Sequence, residues 1–555
     1  MPEPPPTRRF EGLVMPPNGW TLALLLVVYI FTGLTGHYPW KNDDAITIGI
    51  VHQILDSGNW LQFNLAGRSY PDAPLYYWLA AGLGYLCQWL LPLHDAARLA
   101  SGVFTLLALT FIFLAARELH GREQAPAAPL LLAGSIGFLF HAHEAQPMLA
   151  ALTAHCAAYW GLAKLNRHPR PGAIYFGTAL GLGCLANGLA PMLLLLPVAA
   201  VVVWQSSDRQ RASLHLLGSL SIAGLIGGLW SGALALSSGK YLSAYWQSEL
   251  TQLSGYPQPL LSLQRLLTML PWYAWPALPL AGWTVWAKRR QLSTPALGLP
   301  GLSIIIALLV VGLWLGTRSA MALLLLPPLV LLAVPGIASL RRGAANAFDW
   351  FGMITFSVFA LLGWLGWAVM IFGWPEHLSK QLLRLEPGFV AKLDGPATVA
   401  AVFGTAIWVW LITTSPRSAM RGIMHWMSGL TLFWLLMAML WMPWWDYGKT
   451  YRSPAMSLSK ILPKSRDCLA ESNLSEAMLA SLDYFSAIQT LPFRSTSGKN
   501  CDWLLVYGST KENEIASTAN WRKVWEGGRP VDRNEGEKLH LYRRVIKGSR
   551  NPGIK

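Results

Sequence analysis

Residues 40–79 read WKNDDAITIGIVHQILDSGNWLQFNLAGRSYPDAPLYYWL, and the fold turns on whether the apolar segment closing this stretch crosses a membrane. An apolar run at 20–36 precedes the acidic pair Asp43 and Asp44. Ile46, Ile50 and Ile54 then recur every fourth residue, which predicts a short helix over 45–56 stopped by Asp56-Ser57-Gly58-Asn59. Trp60, the loop Gly67-Arg68-Ser69-Tyr70 and the run Pro71-Asp72-Ala73-Pro74-Leu75-Tyr76-Tyr77-Trp78 lead into the apolar segment 74–92. Carboxylates beside a membrane surface, among aromatic amphipathic helices, are costly to hold there without a use.

Working outward, the 555 residues are 53% hydrophobic and only 13% charged, which excludes a soluble globular chain. Apolar runs at 98–116, 126–141, 147–164, 172–187, 188–204, 213–235, 269–287, 298–316, 320–339, 350–373, 397–414 and 422–443 join the run at 20–36 as candidate spans. Each approaches the ~20 residues that a bilayer crossing takes. The 28 tryptophans suit a chain with many membrane–water boundaries. A net charge of +15 is read as loop-anchoring lysine and arginine, with some left for anionic lipid, and not as a nucleic-acid footprint. The opening MPEPPPTRRFEGLVMPPNGW is too polar and proline-rich for a cleaved signal peptide, so the first span is expected to be an uncleaved anchor.

Segment 74–92 is settled by charge. Basic residues cluster at Arg8-Arg9, 117–122, 164–170, 209–211, 288–290, Arg341-Arg342 and 417–421. All fall on the side of the N-terminus only if 74–92 lies along the interface instead of crossing. The expected architecture is therefore an all-α polytopic membrane protein of about 13 spans. Residues 1–19 form a cytoplasmic tail, 20–444 the membrane domain with an outer loop at 37–97, and 445–555 a small α/β domain outside. In that tail Trp503–Tyr507 and Leu539–Tyr542 read as strands and 474–489 as a helix. Cys87, Cys156 and Cys184 lie in apolar segments, whereas Cys468 and Cys501 lie in the tail, where pairing is open. The same count gathers Asp43, residues 141–146, Asn187, the loop 236–268 and Arg318 on one outer face.

The stretch from Asp43 to Trp78 resembles the first outer loop of the polyprenyl-phosphate-sugar-dependent glycosyltransferases of the GT-C fold, in particular the bacterial lipid A aminoarabinose transferases and the protein mannosyltransferases. The resemblance implies a bacterial inner-membrane enzyme that moves a sugar from a polyprenyl-phosphate donor to lipid A, another glycan or a protein on the periplasmic side. Asp43 matches the family's catalytic aspartate, and Asp44 stands where the family usually has Glu. Read from the residues alone, the pair could also be an acidic start to the helix. Asp72 sits one residue later than the family's Glu, before Tyr76 and Tyr77; the family's Lys is lost and Ala73 stands at its first Pro. Ala142-His143-Glu144-Ala145-Gln146-Pro147-Met148 resembles a short outer loop in which Gln146 replaces a basic residue; His143 and Glu144 there read either as the lining of a polar cavity or as a solvated turn. In GLGCLANGLAP (181–191) Asn187 replaces a family Lys, and Glu249 falls near a family His. Arg318, in GTRSAMALLLLPPL, matches the basic residue that meets the lipid phosphate, with Asn187 and Arg68 as further phosphate contacts and Lys41 a weaker candidate.

This transfer needs a base for the acceptor's proton and a positive group for the leaving phosphate. Asp43 would be the base, with inversion at the sugar, and Arg318 would grip the phosphate as a fork. Metal-assisted chemistry with Mg, Mn or Zn would draw on Asp43, Asp72 and Glu249; no metal-type Cys or His spacing occurs. The competing classes are a lipid or sugar transporter or flippase, which would show paired repeats with broken helices, and a degenerate homologue, which Ala73, Gln146 and Asn187 would suit.

Overall fold

Residues 42–57 coil into a helix that carries the acidic pair in its first turn (α2, Asn42–Ser57), following α1 (Gly19–Phe31). Gly58, at φ 69°, ends α2 and returns its N–H to the carbonyl of Ile54, a left-handed stop that favours glycine. This computed structural model describes residues 19–545 except 166, 417, 464–467, 510–519 and 533–534, so the expected N-terminal tail falls outside the described residues but for Gly19. A tight hairpin follows, β1 (Asn64–Leu65) against β2 (Arg68–Ser69), with Ala66 and Gly67 both at positive φ in the turn. Helix α3 (Leu75–Cys87) has 13 residues. At ~1.5 Å per residue it is about 20 Å long, short of a ~30 Å hydrocarbon core. It packs along α4 (Leu93–His120).

Among the described residues seven helices are long and apolar enough to cross a bilayer, including α4, Arg209–Ser237, Met321–Ser339, Arg342–Phe372 and Gly395–Thr414. Gly19–Phe31, Leu75–Cys87 and Ala190–Trp204 are apolar but shorter. The expected span 126–141 is two seven-residue helices, Ala127–Ala133 and Ile136–Ala142, separated at Gly134-Ser135, where the Trp426 indole N–H bonds the Gly134 carbonyl at 2.8 Å. The loop expected at 236–268 is largely helical, as Gly239–Leu253 and Pro259–Tyr273. Helix Pro295–Leu309 widens into a π-helical turn at Val310–Leu315, directly before Arg318. Such turns are rare and recur at functional sites.

A short helix, Met442–Lys449, closes the bundle, and the next, Arg452–Ile461, packs Ala455 and Leu458 into the core of the C-terminal sheet domain. Five strands, β3 (Leu469–Ser472), β4 (Leu491–Pro492), β5 (Trp503–Tyr507), β6 (Trp521–Gly527) and β7 (Leu539–Arg544), lie in the order β4-β3-β5-β7-β6. Strands β4, β3 and β5 run parallel, while β7 pairs antiparallel with β5 and β6. The helix Glu476–Ser486 crosses between β3 and β4 and packs on α2. The contact is close because Gly49 has no side chain: a Cβ there would stand 2.8 Å from that of Ala480.

Cys468 and Cys501 are joined, with Cα atoms 5.3 Å apart across 33 residues of sequence, at the entry to β3 and the turn before β5. Closing a loop of this length stabilises the fold by about 3–4 kcal/mol in the chain-entropy picture. Thiol alkylation of the native protein should therefore leave both cysteines unmodified until a reductant is added; mass mapping of the two peptides checks this, and free labelling without reductant would refute the bridge.

Candidate active site

The site is built around a fully buried arginine. Arg98, on α4, grips Asp44 with both edges of its guanidinium, Nε to Oδ1 at 2.9 Å and Nη2 to Oδ2 at 2.8 Å. Nη1 donates to Asp95 at 3.0 Å and to the His37 carbonyl at 2.7 Å. Asp44 also accepts the Ala145 N–H at 2.8 Å, so one carboxylate holds α4, α2 and the 143–147 loop together. Burial pushes the Asp44 carboxyl up, but the Arg98 charge and hydrogen bonds outweigh it and hold the group below its ordinary value.

Asp43 points elsewhere, because successive helical residues are turned by about 100°. It is exposed on one wall of a cavity of about 590 Å³ that Thr47, Tyr70, Asp72, Tyr77, Gln146, Asn187, Arg318 and Glu476 also line. The Gln146 amide donates to Asp43 Oδ2 at 2.8 Å and lies 3.3 Å from Glu144 Oε1. Glu144 in turn takes Lys41 Nζ at 2.9 Å and His141 Nδ1 at 2.7 Å. Burial raises the Glu144 carboxyl, and these two partners more than reverse it. The result is a chain, Lys41–Glu144–Gln146–Asp43, that fixes one oxygen of Asp43 from behind.

Across the cavity, Asp72 accepts the Tyr77 hydroxyl at 2.7 Å and its neighbour's N–H at 2.7 Å. Burial still raises its carboxyl above the ordinary value, with Glu476 adding to the shift and Arg318 opposing it. Arg318 itself is exposed, on a turn pinned at both sides. Thr317 exchanges hydrogen bonds of 2.8 Å with Ser262, and the Tyr273 hydroxyl donates to the Ser319 carbonyl at 2.7 Å. Asn187 reaches the Met321 sulfur at 3.9 Å.

Of the residues singled out in the sequence, Asp43, Asp72, Tyr77, Asn187 and Arg318 share this cavity. The rest are engaged elsewhere. Asp44 is consumed by Arg98 and faces away from the cavity. Arg68 donates to Glu471 at 3.0 Å and to Thr490 at 3.2 Å, which makes it a clasp for the outer domain in place of the expected phosphate contact. Glu249 accepts the Leu189 N–H at 2.9 Å beside Gly188, where any Cβ would collide with its carboxylate. His143 is buried between the carbonyls of Leu139 and Tyr29, and the Tyr76 hydroxyl meets Ser101 at 2.6 Å. Glu144 acts behind Asp43 and does not line the cavity. No group of three or more His, Cys, Asp or Glu with metal-holding geometry occurs among the described residues, and Asp43, Asp72 and Glu249 do not converge. These side chains do not fit a metal site of their own.

Sequence reading missed Arg98 and Glu476. The first had a signal, an arginine at the head of an apolar run, which is expensive unless paired. Glu476 had none, since it belongs to the outer domain and reaches the cavity only because that domain docks on α2.

A helical membrane body, a carboxylate at the start of an outer-loop helix and a cavity roofed by a small sheet domain define a protein of the GT-C fold class. Structural comparison agrees. ArnT from Cupriavidus metallidurans bound to undecaprenyl phosphate superposes with a TM-score of 0.66 at 16% identity, covering 94% of this chain and 98% of that one. Residues 71–228 match the family model described as dolichyl-phosphate-mannose-protein mannosyltransferase. More particularly, the chain is similar to the undecaprenyl phosphate-alpha-4-amino-4-deoxy-L-arabinose arabinosyl transferases. That of Edwardsiella ictaluri is 30% identical over 41% of this chain and 42% of its own, and that of Pseudomonas aeruginosa UCBPP-PA14 is 26% identical over 76% and 75%. Against the first three such relatives the matched stretch spans 42%, 34% and 50% of their length.

Removing Arg98 should strand a buried charge. Arg98→Met is expected to destabilise the protein by about 3–5 kcal/mol, read as a lowered thermal midpoint and folded yield. Arg98→Met with Asp44→Leu should recover part of that loss. A single variant as stable as the parent would remove Arg98 from its structural role.

Proposed function

We propose that this protein is an inner-membrane glycosyltransferase, moving a sugar from a polyprenyl-phosphate donor to an acceptor oxygen on the periplasmic side. One observation carries the reading: Asp43 and Arg318, far apart in sequence, line one cavity at the head of the membrane helices. Arg318 meets the donor phosphate, which is anchored by its hydrocarbon in the bilayer. The acceptor attacks the anomeric carbon from the opposite face, Asp43 takes its proton, and the carbon–oxygen bond to phosphate breaks with its electrons going to the phosphate. The configuration inverts. Arg318 stabilises the charge that builds on the leaving group. Similarity to the arabinosyl transferases supports a lipid-linked donor, with lipid A, another glycan or a protein as acceptor.

The orientation that goes with this places the N-terminus in the cytoplasm and the outer domain in the periplasm. Reporter fusions after Arg289 and Arg342 should score as cytoplasmic and one after Gly508 as periplasmic. The reverse pattern would put the cavity on the wrong side.

The chemistry itself is tested by transfer of radiolabelled sugar from a purified polyprenyl-phosphate donor, normalised to folded protein. Asp43→Asn keeps the size and hydrogen bonding of the side chain but accepts no proton. Turnover should fall about a hundredfold or more with donor binding little changed. Arg318→Ala should lose both binding and turnover, and Arg318→Lys should restore only part. Near-normal turnover in Asp43→Asn would eliminate this mechanism.

A further inference from the structure

The chain of groups that reaches Asp43 from behind ends in Gln146, and the chemistry of that amide tells the two Asp43 oxygens apart. Gln146 is 3% exposed and sits on the wall of the cavity. Its loop is held without the side chain. Asp44 takes the Ala145 N–H at 2.8 Å, and the Ser101 hydroxyl donates to the Glu144 carbonyl. The Gln146 amide is therefore not what keeps the loop in place.

Its neighbours fix which way the amide faces. The amide oxygen takes the Met148 N–H at 3.3 Å, and the nitrogen lies 2.8 Å from Asp43 Oδ2 and 3.3 Å from Glu144 Oε1. The reverse orientation would set an oxygen against two carboxylates and an N–H against an N–H. Each amide hydrogen thus goes to a different carboxylate. Glu144 is the fixed end of this span, held by Lys41 Nζ and by His141 Nδ1. Gln146 bridges from it to Asp43 and sets the rotation of the Asp43 carboxyl.

An amide N–H donates and does not accept. In a carboxylic acid the strong acceptor is the carbonyl oxygen, and Gln146 claims that role for Oδ2. Oδ1 meets no donor among the described residues and is left to the cavity. We propose that Gln146 is a positioning residue that reserves Asp43 Oδ1 for the proton of the attacking acceptor. As the acceptor oxygen bonds to the anomeric carbon, its O–H bond breaks and the proton passes to Oδ1. Oδ2, now the carbonyl of the acid, stays on Gln146. This rests on the reading of Asp43 as the base.

The test applies the radiolabelled transfer assay to the full chain, with kcat and KM normalised to folded protein. Gln146→Met keeps the volume and removes both N–H groups. Its kcat should fall about tenfold or more with the donor KM within about twofold, because the base is present but misdirected. Gln146→Asn keeps the amide on a stem one carbon too short to span the two carboxylates, and should fall likewise. The decisive arm combines Gln146→Met with Asp43→Asn. A residue that acts only through Asp43 adds no further loss once the base is gone, whereas a structural or substrate-binding residue adds its full loss in either background. Unchanged kcat in both Gln146→Met and Gln146→Asn, a loss carried by KM, or a second full loss in the double variant would overturn the proposal and leave the base in place. Near-normal turnover in Asp43→Asn would remove the base itself, so the two readings fail on different measurements.

Discussion

The Arg98–Asp44 pair is the constraint from which the site geometry follows. Two charges taken wholly out of water are tolerable only when their hydrogen-bonding capacity is used, and here it is. The guanidinium meets two carboxylates and a backbone carbonyl, while Asp44 takes the fork and a backbone N–H. The consequence is positional. With Asp44 locked inward, α2 can rotate neither way, and Asp43 is presented to the cavity. Tyr38 adds to this by donating its N–H to Asp446 at 2.9 Å, tying the entry of the same loop to the last membrane helices.

The outer domain is part of the same assembly. Gln53 reaches Asp483 at 2.7 Å, His94 meets the Tyr484 hydroxyl at 2.8 Å, and Arg68 clasps Glu471. With Gly49 against Ala480, these contacts seat the helix Glu476–Ser486 on α2 and bring Glu476 to the cavity rim. The cavity is thus walled by the first outer loop, the short loops between membrane helices and the tail domain. A change in the docking of the tail reaches the chemistry without touching Asp43.

The charges lining the cavity are unequal in sign. The outer cavity sets three carboxylates, Asp43, Asp72 and Glu476, against the single cation Arg318 among its described lining residues.

Much of this was legible in the chain itself. Apolar length and arginine placement determined a helical membrane protein, and the run 74–92 folds as a 13-residue helix, because hydrophobic length acts locally. Turn-forming residues marked the end of α2, and short apolar runs marked strands β5 and β7. Asp43 and Arg318 were identifiable as partners because each sits at a helix junction on the same face. That Asp44 turns inward was not legible, since its partner is a buried arginine on another helix. Nor was the diversion of Arg68 and Glu249 to structural contacts, or the arrival of Glu476. Those outcomes rest on side chains brought together from distant parts of the chain, and only packing decides which polar group finds which partner.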